Sequence, residues 1–266
     1  MKRIKNSMYK WCVDLLPINR SIMGDGVRNT LSYIKKEFPD LEIKKIKTGT
    51  KIFDWEVPNE WNVKEAYIED QHGRRIVDFK QNNLHLMGYS IPIDKWMDLN
   101  ELNKHLFSIE GQPDAIPYIT SYYKNNWGFC ISHNQRKKLK NTNFHVVIKS
   151  SLRPGYLNYG EILIKGKTPN EILLSTYICH PSMANNEVSG PVVTLALTKF
   201  ISKIKSRNFS YRIIFIPETI GAIAYLSYNH VKMKKNIKAG FILTCVGDNN
   251  NFSFMPSRLG STLADK

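Results

Sequence analysis

The strongest constraint on how this chain folds lies between residues 160 and 245, where long apolar runs alternate with segments of helical periodicity. "EILLSTYIC" has the unbroken apolar character of a strand buried on both faces, and "EVSGPVVTLALTKFISKI" repeats its apolar residues at helical spacing. "YRIIFIPE" reads as a second strand, "TIGAIAYLSYNHV" as a second helix and "AGFILTC" as a third strand. That order is βαβαβ. Roughly 30 residues lead from one strand to the next, which suits right-handed helical crossovers in a parallel sheet.

The region before it has a different texture. Residues 4 to 16 and 25 to 38 read as helices, the second opening at Asp25 with Val27, Leu31 and Ile34 on one face and closing before Pro39. From about residue 43 to 150 short alternating segments follow one another, "AYIED" and "RRIVDF" about the turn "QHG", then "HLMGYS", "IPYITSYY", "WGFCIS" and "FHVVIKSS". One helix interrupts them at "DLNELNKHLF", where Asp98 and Glu101 stand at capping-box spacing. With 42% hydrophobic residues over 266 positions the chain has material for a sizeable core, arranged as one large domain or two smaller ones.

Composition excludes more than it assigns. No apolar run approaches the length of about 20 residues that spans a bilayer, and the N-terminus has no signal-peptide cleavage site, so a cytoplasmic location without a membrane partner is expected. The net charge of +15 is spread over short basic groups with no recognition module beside them, so no nucleic-acid partner is expected. "GKTPNE" lacks the earlier glycine of a phosphate loop and precedes a strand, so it reads as a turn. Cys12, Cys130, Cys179 and Cys245 are widely spaced and mostly within apolar runs, as buried reduced thiols would be.

Ligands of open α/β sheets gather beyond the carboxyl ends of the strands. Here those ends read "ICHPSMANN", "IPETIG" and "CVGDNNN", and they carry His180, Glu218 and Asp248. Parallel strands about 5 Å apart would bring the three within reach of one cavity. Each also has a plainer reading. His180 suits a hydrogen-bonded strand end, Glu218 stabilises a helix N-terminus, Asp248 makes a turn, and Cys245 is a core thiol or a thiolate ligand.

The segments "STYICHPSMANNEVSGP", "FIPETIGAIAYLS" and "CVGD", with "PSRLGSTLAD" further on, resemble the motifs of a bacterial family of polysaccharide biosynthesis proteins with an aminopeptidase-like domain. Upstream, "GQPDAIPYITSYYKNNWGFCISHNQRKKL" resembles the small β domain inserted in that family, so the resemblance runs over essentially the whole chain. It implies an α/β fold, a zinc-peptidase-like α/β/α sandwich with a mostly parallel sheet, plus an inserted mainly β domain. Residues 1–45 would then be N-terminal helices of the aminopeptidase-like domain, 46–150 the insert, and 151–266 the remainder of that domain, incomplete. Members of the family continue beyond "STLAD" and the wider peptidases carry a late His ligand, so a truncated chain, or one completed by a second polypeptide, is implied.

From the zinc-dependent aminopeptidases and carboxypeptidases that are its wider relatives, the resemblance assigns roles residue by residue. His180 takes a metal-ligand position and Glu218 that of the catalytic general base; in a hydrolase of that type Asp248, a candidate from its strand end, would contribute or orient a ligand. Asn186 stands where those enzymes have an Asp bridging two metals, Thr219 where they have a metal-binding Glu, and Ser182 where an Asp supports the His ligand. A neutral amide does not balance two dications, so one zinc ion at most is expected. The implied activity is metal-dependent hydrolysis of a peptide or amide bond. The alternative is a non-catalytic or altered role in surface-polysaccharide biosynthesis, binding an aminosugar or activated precursor in the same cleft.

Overall fold

Val27, Leu31 and Ile34 recur at helical spacing, and burying that stripe is what holds α2 (Asp25–Glu37) in place; Trp11 and Leu15, one turn apart, do the same for α1 (Lys2–Leu15). The computed structural model describes residues 2–122, 124–251 and 253–266. The chain continues through β1 (Glu42–Lys47) and a short hairpin of β2 (Lys51–Ile52) and β3 (Trp55–Glu56). Next come β4 (Glu60–Asp70), β5 (Arg75–Asp78), β6 (Ile93–Asp98), α3 (Leu99–Asn103), β7 (Leu106–Phe107), β8 (Phe129–Cys130), α4 (His133–Lys137) and β9 (Asn143–Arg153). The last stretch holds β10 (Tyr156–Ile164), β11 (Glu171–Tyr177), α5 (Ser189–Ser202), β12 (Ser210–Ile216), α6 (Ile220–Asn236) and β13 (Ile237–Ile242). Among the described residues no helix is long and apolar enough to cross a membrane.

Two compact units result, Met1–Asn59 with Pro154–Lys266, and Glu60–Arg153. The second unit therefore begins at residue 60, later than the boundary at 46 read from the sequence. The reason is pairing: β1 lies antiparallel to β10, from Glu42 opposite Glu161 to Lys47 opposite Tyr156, so residues 42–47 belong to the first unit's sheet.

That sheet has the order β1, β10, β12, β11, β13. β12, β11 and β13 are mutually parallel, as the βαβαβ pattern requires, whereas β10 and β1 extend the sheet antiparallel. Parallel pairing is thus confined to the crossover part, because β10 precedes β11 through a short turn at 165–170, too short for a crossover. One face carries Ile162, Ile164, Leu174, Ile213 and Phe215, packed with Trp11, Leu31, Ile34, Val192 and Leu195 of α1, α2 and α5.

The opposite face carries a buried ion network. Arg212 donates from Nε and Nη2 to the two oxygens of Glu171 at 2.5 and 2.9 Å and from Nη1 to Glu161, which also accepts from the Tyr225 hydroxyl of α6 at 2.8 Å. Desolvation offsets much of what such a network gains, so its main effect is to fix the register of β10, β11 and β12 beneath α6.

The second unit is a four-stranded antiparallel sheet in the order β5, β4, β9, β6, with β7 and β8 as a separate parallel pair. Its core includes Ala66, Ile68, Phe129, Cys130, Phe144, Val146 and Ile148, all buried. Asp98 accepts from the Glu101 backbone N–H at 2.8 Å, so the capping expected for α3 forms. Among the cysteines, Cys130 and Cys179 are buried and Cys12 half-buried, but Cys245 is exposed. It follows β13, which ends at Ile242, so it is part of a surface connection instead of a core strand.

Candidate functional site

Two matched strand ends create the site. Tyr177, the last residue of β11, pairs with Ile216, the last of β12, and the Ile178 N–H continues the ladder to the Ile216 carbonyl at 3.1 Å. His180 lies three residues beyond Tyr177 and Glu218 two beyond Ile216, so parallel register delivers the two side chains together. The backbone N–H of Glu218 also meets the Cys179 sulfur at 3.1 Å, tying the turns to each other.

His180 is held from behind by a carboxylate that sequence reasoning passed over. Its Nδ1 lies 2.9 Å from Oε2 of Glu187, which is 1% exposed and stands in the π-helical turn Ala184–Val188 leading into α5. The other Glu187 oxygen accepts from Nε of the buried Arg20 at 3.0 Å, and the same Nε reaches the His180 carbonyl at 2.9 Å. An ionised carboxylate accepts only, so Nδ1 carries a proton and Nε2 is the ring nitrogen turned outward. Burial raises the Glu187 carboxyl pKa, opposed by the hydrogen bond from His180 and the charge of Arg20.

Outward, His180 Nε2 lies 3.3 Å from Oε2 of Glu218, whose side chain is 51% exposed. Two acceptors at that separation repel unless a cation lies between them, either a proton on the imidazole or a metal ion. A tetrahedral zinc with N and O bonds of about 2.1 Å sets its donors about 3.4 Å apart, close to the spacing seen. Cys179, His180 and Glu218 offer donor atoms within 4.8 Å of one another. The thiol is the poor member of that set. Burial pushes the Cys179 pKa well up, so it stays protonated, and its sulfur lies 3.6 Å from the already occupied Nδ1.

The other predicted residues are placed differently. Asp248 is exposed and its Oδ1 accepts from the Asn250 N–H at 2.6 Å, the turn its sequence suggested. Among the described residues it is not in the cluster of Cys179, His180 and Glu218. Asn186 sits in the turn that carries Glu187, its Nδ2 3.8 Å from the Cys245 sulfur and its buried Oδ1 without a partner among the described residues. Thr219 takes φ 53 and ψ −75 at the entry to α6 and does not cap that helix with its side chain. Ser182 donates to the Leu16 carbonyl at 2.5 Å.

The carboxylate on Nδ1 of His180 is that of Glu187, reaching back from the next turn. A metal-ligating His commonly donates its second N–H to a carboxylate, so the Glu187 contact fits a metal site. The aligned protein donors number two, His180 and Glu218, short of the three that catalytic zinc takes, with the neutral Asn186 Oδ1 the remaining oxygen in that turn.

The family described as "Domain of unknown function (DUF4910)" matches residues 9–266. A curated protein of Clostridium acetobutylicum named "Putative polysaccharide biosynthesis protein with aminopeptidase-like domain" is 48% identical over 271 residues, covering 100% of this chain and 62% of that protein. A crystal structure of a "putative peptidase" from Clostridium acetobutylicum superposes with a TM-score of 0.95 at 47% identity, covering 99% of this chain and 63% of that one. The chain thus spans less than two thirds of the length of either relative. A zinc aminopeptidase from Bacillus subtilis superposes with a TM-score of 0.56 at 12% identity over 90% of this chain, which shows a shared fold and nothing finer. The α/β aminopeptidase-like architecture expected from the motifs is therefore present.

Proposed function

We propose, since the chain belongs to the DUF4910 family, that its α/β unit carries a one-cation hydrolytic site for a peptide or other amide bond, centred on His180. The supporting observation is the line of three side chains: Glu187 on Nδ1 of His180, and Nε2 of His180 facing Glu218 at 3.3 Å. His180 Nε2 and one oxygen of Glu218 would hold the cation, and imidazole with carboxylate suits zinc. Bound there, zinc would polarise a carbonyl and lower the pKa of a coordinated water. Glu187 and Arg20 keep the imidazole in one tautomer and one orientation. The Glu218 carboxylate is half exposed, so an oxygen of it is open to solvent, consistent with a general base. The substrate is a small peptide or amide.

The test is cleavage of an aminoacyl 4-nitroanilide with zinc and with chelator. Zinc-dependent release that disappears in His180→Ala supports the proposal, and release equal in both proteins refutes it. A second reading has one observation behind it: Asp248 is engaged in its own turn, and Asn186 and Thr219 are neutral. A cleft short of metal carboxylates suits binding of an aminosugar or activated precursor, and binding of glucosamine unaffected by chelator would favour it.

A further inference from the structure

The unit formed by residues 60–153 has a cleft of its own, of about 150 Å³, lined among others by Trp61, Tyr89, Tyr122, Lys124, Asn125 and Ser150. Its walls are joined by backbone hydrogen bonds: Gly88 N–H to the Ile119 carbonyl, Ser121 N–H to the Gly88 carbonyl and Ile91 N–H to the Asn126 carbonyl, each 2.9 Å. These bonds hold the segments 88–91 and 119–126 side by side. The aromatic side is a graded stack. Trp61, 4% exposed and donating Nε1 to the Ser90 carbonyl at 3.0 Å, lies face to face with Tyr89 at 5.4 Å. Tyr89 meets the edge of Tyr122 at 4.8 Å, and Tyr122 is 38% exposed. A ring open to the cleft thus rests on two that are fixed in the core.

Tyr89 has φ 65, a conformation that favours glycine and is costly for a large side chain. Glycine would satisfy the backbone there without strain. A strained aromatic kept at the wall of a cleft points from the outlier toward a use for its ring. Around the aromatic surface stand polar groups: the Ser121 and Ser150 hydroxyls, the Asn125 amide and the Lys124 ammonium, the one charged side chain of the lining among the described residues. The hydroxyl protons are already directed, Ser150 to the Ser90 carbonyl at 2.7 Å and Ser121 to the Lys124 carbonyl at 2.8 Å, so their oxygens face a ligand as acceptors.

We infer that this cleft binds a single sugar ring bearing an anionic substituent, separately from the His180 site. A pyranose has an apolar C–H face for Tyr122 and hydroxyls along its edge for Asn125 and the serine oxygens. Volume limits the ligand, since an engineered cavity of about 150 Å³ accommodates benzene, one six-membered ring. Lys124 sets the sign, attracting a carboxylate or phosphate on the sugar and opposing an ammonium.

Saturation-transfer NMR titrations of the whole chain with glucuronic acid, glucose and glucosamine test this. Glucuronic acid is expected to saturate at about millimolar concentration, ahead of glucose, with glucosamine weakest. Tyr122→Ala should weaken it about tenfold, and Lys124→Ala should abolish the preference over glucose; both side chains are exposed, so neither substitution empties a core. Saturable binding with these two effects supports the assignment. Absence of saturable binding by any of the three sugars, or glucuronic acid binding unchanged in Tyr122→Ala, overturns it. So does loss of binding in His180→Ala, which would place the sugar at the other site and bear on the hydrolase reading instead.

Discussion

Glu187 shows what a single residue decides here. Its two oxygens are divided between an imidazole and a guanidinium, all three groups withdrawn from water, so neutralising it leaves Arg20 buried without its counter-charge. Breaking a buried pair in this way costs about 3–5 kcal/mol. Glu187→Gln is accordingly expected to lower the thermal midpoint by about 6–20 °C, measured by calorimetry, while Glu218→Gln, at an exposed position, shifts it little. Cys130 gives a pH dependence. Burial pushes its thiol up to about 12 from an ordinary 9.0, so the folded unit keeps a proton that the unfolded chain has lost. The unfolded state binds fewer protons in that window, so stability falls as pH rises from 9 toward 12; denaturant titrations should show the decline, and Cys130→Ala should flatten it. His180 and Glu218 were legible in the sequence because strand ends in parallel sheets converge. Glu187 was not, since its partner Arg20 lies 167 positions away and only the fold brings them together.

At the scale of elements, the periodic segments were legible and their sheet order was not. Each strand and helix from "EILLSTYIC" onward announces itself through the spacing of its apolar residues, whereas the antiparallel entry of β10 and β1 depends on pairings between distant segments that local periodicity does not encode. Asp248 illustrates a related point: a residue at a third strand end reaches its neighbours only if the loop carries it there, and here its carboxylate accepts from the Asn250 N–H within its own turn. The junction of α5 with β11 and the segment after β13 is closely packed. A Cβ at Gly190 would stand 2.5 Å from both the Leu243 carbonyl oxygen and the Thr176 hydroxyl. Gly190→Ala should therefore cost about 1–3 kcal/mol, read from denaturant midpoints, and should loosen β13 first. Hydrogen exchange at Leu243, whose N–H bonds to Ser175, reports that directly.

At the scale of the whole molecule, β13 closes one side of the five-stranded sheet and leaves an edge, and the segment around and after it carries exposed apolar side chains. Ile242 is 75% exposed, Met255 90% and Leu259 79%. An apolar edge strand is a template for pairing with another chain. Concentration-dependent association in sedimentation velocity is expected, reduced by Ile242→Lys; a strict monomer at all concentrations would contradict it. The family relationship and the aminopeptidase-like fold were both readable from long motifs, since those motifs sit at the strand ends that define the architecture. The proposed cation site rests on His180, and metal content tests it most directly. After equilibration with zinc and removal of the excess, elemental analysis should find up to one ion per chain in the parent and none in His180→Ala. Equal zinc in both proteins, or none in the parent, would contradict a cation site built on His180.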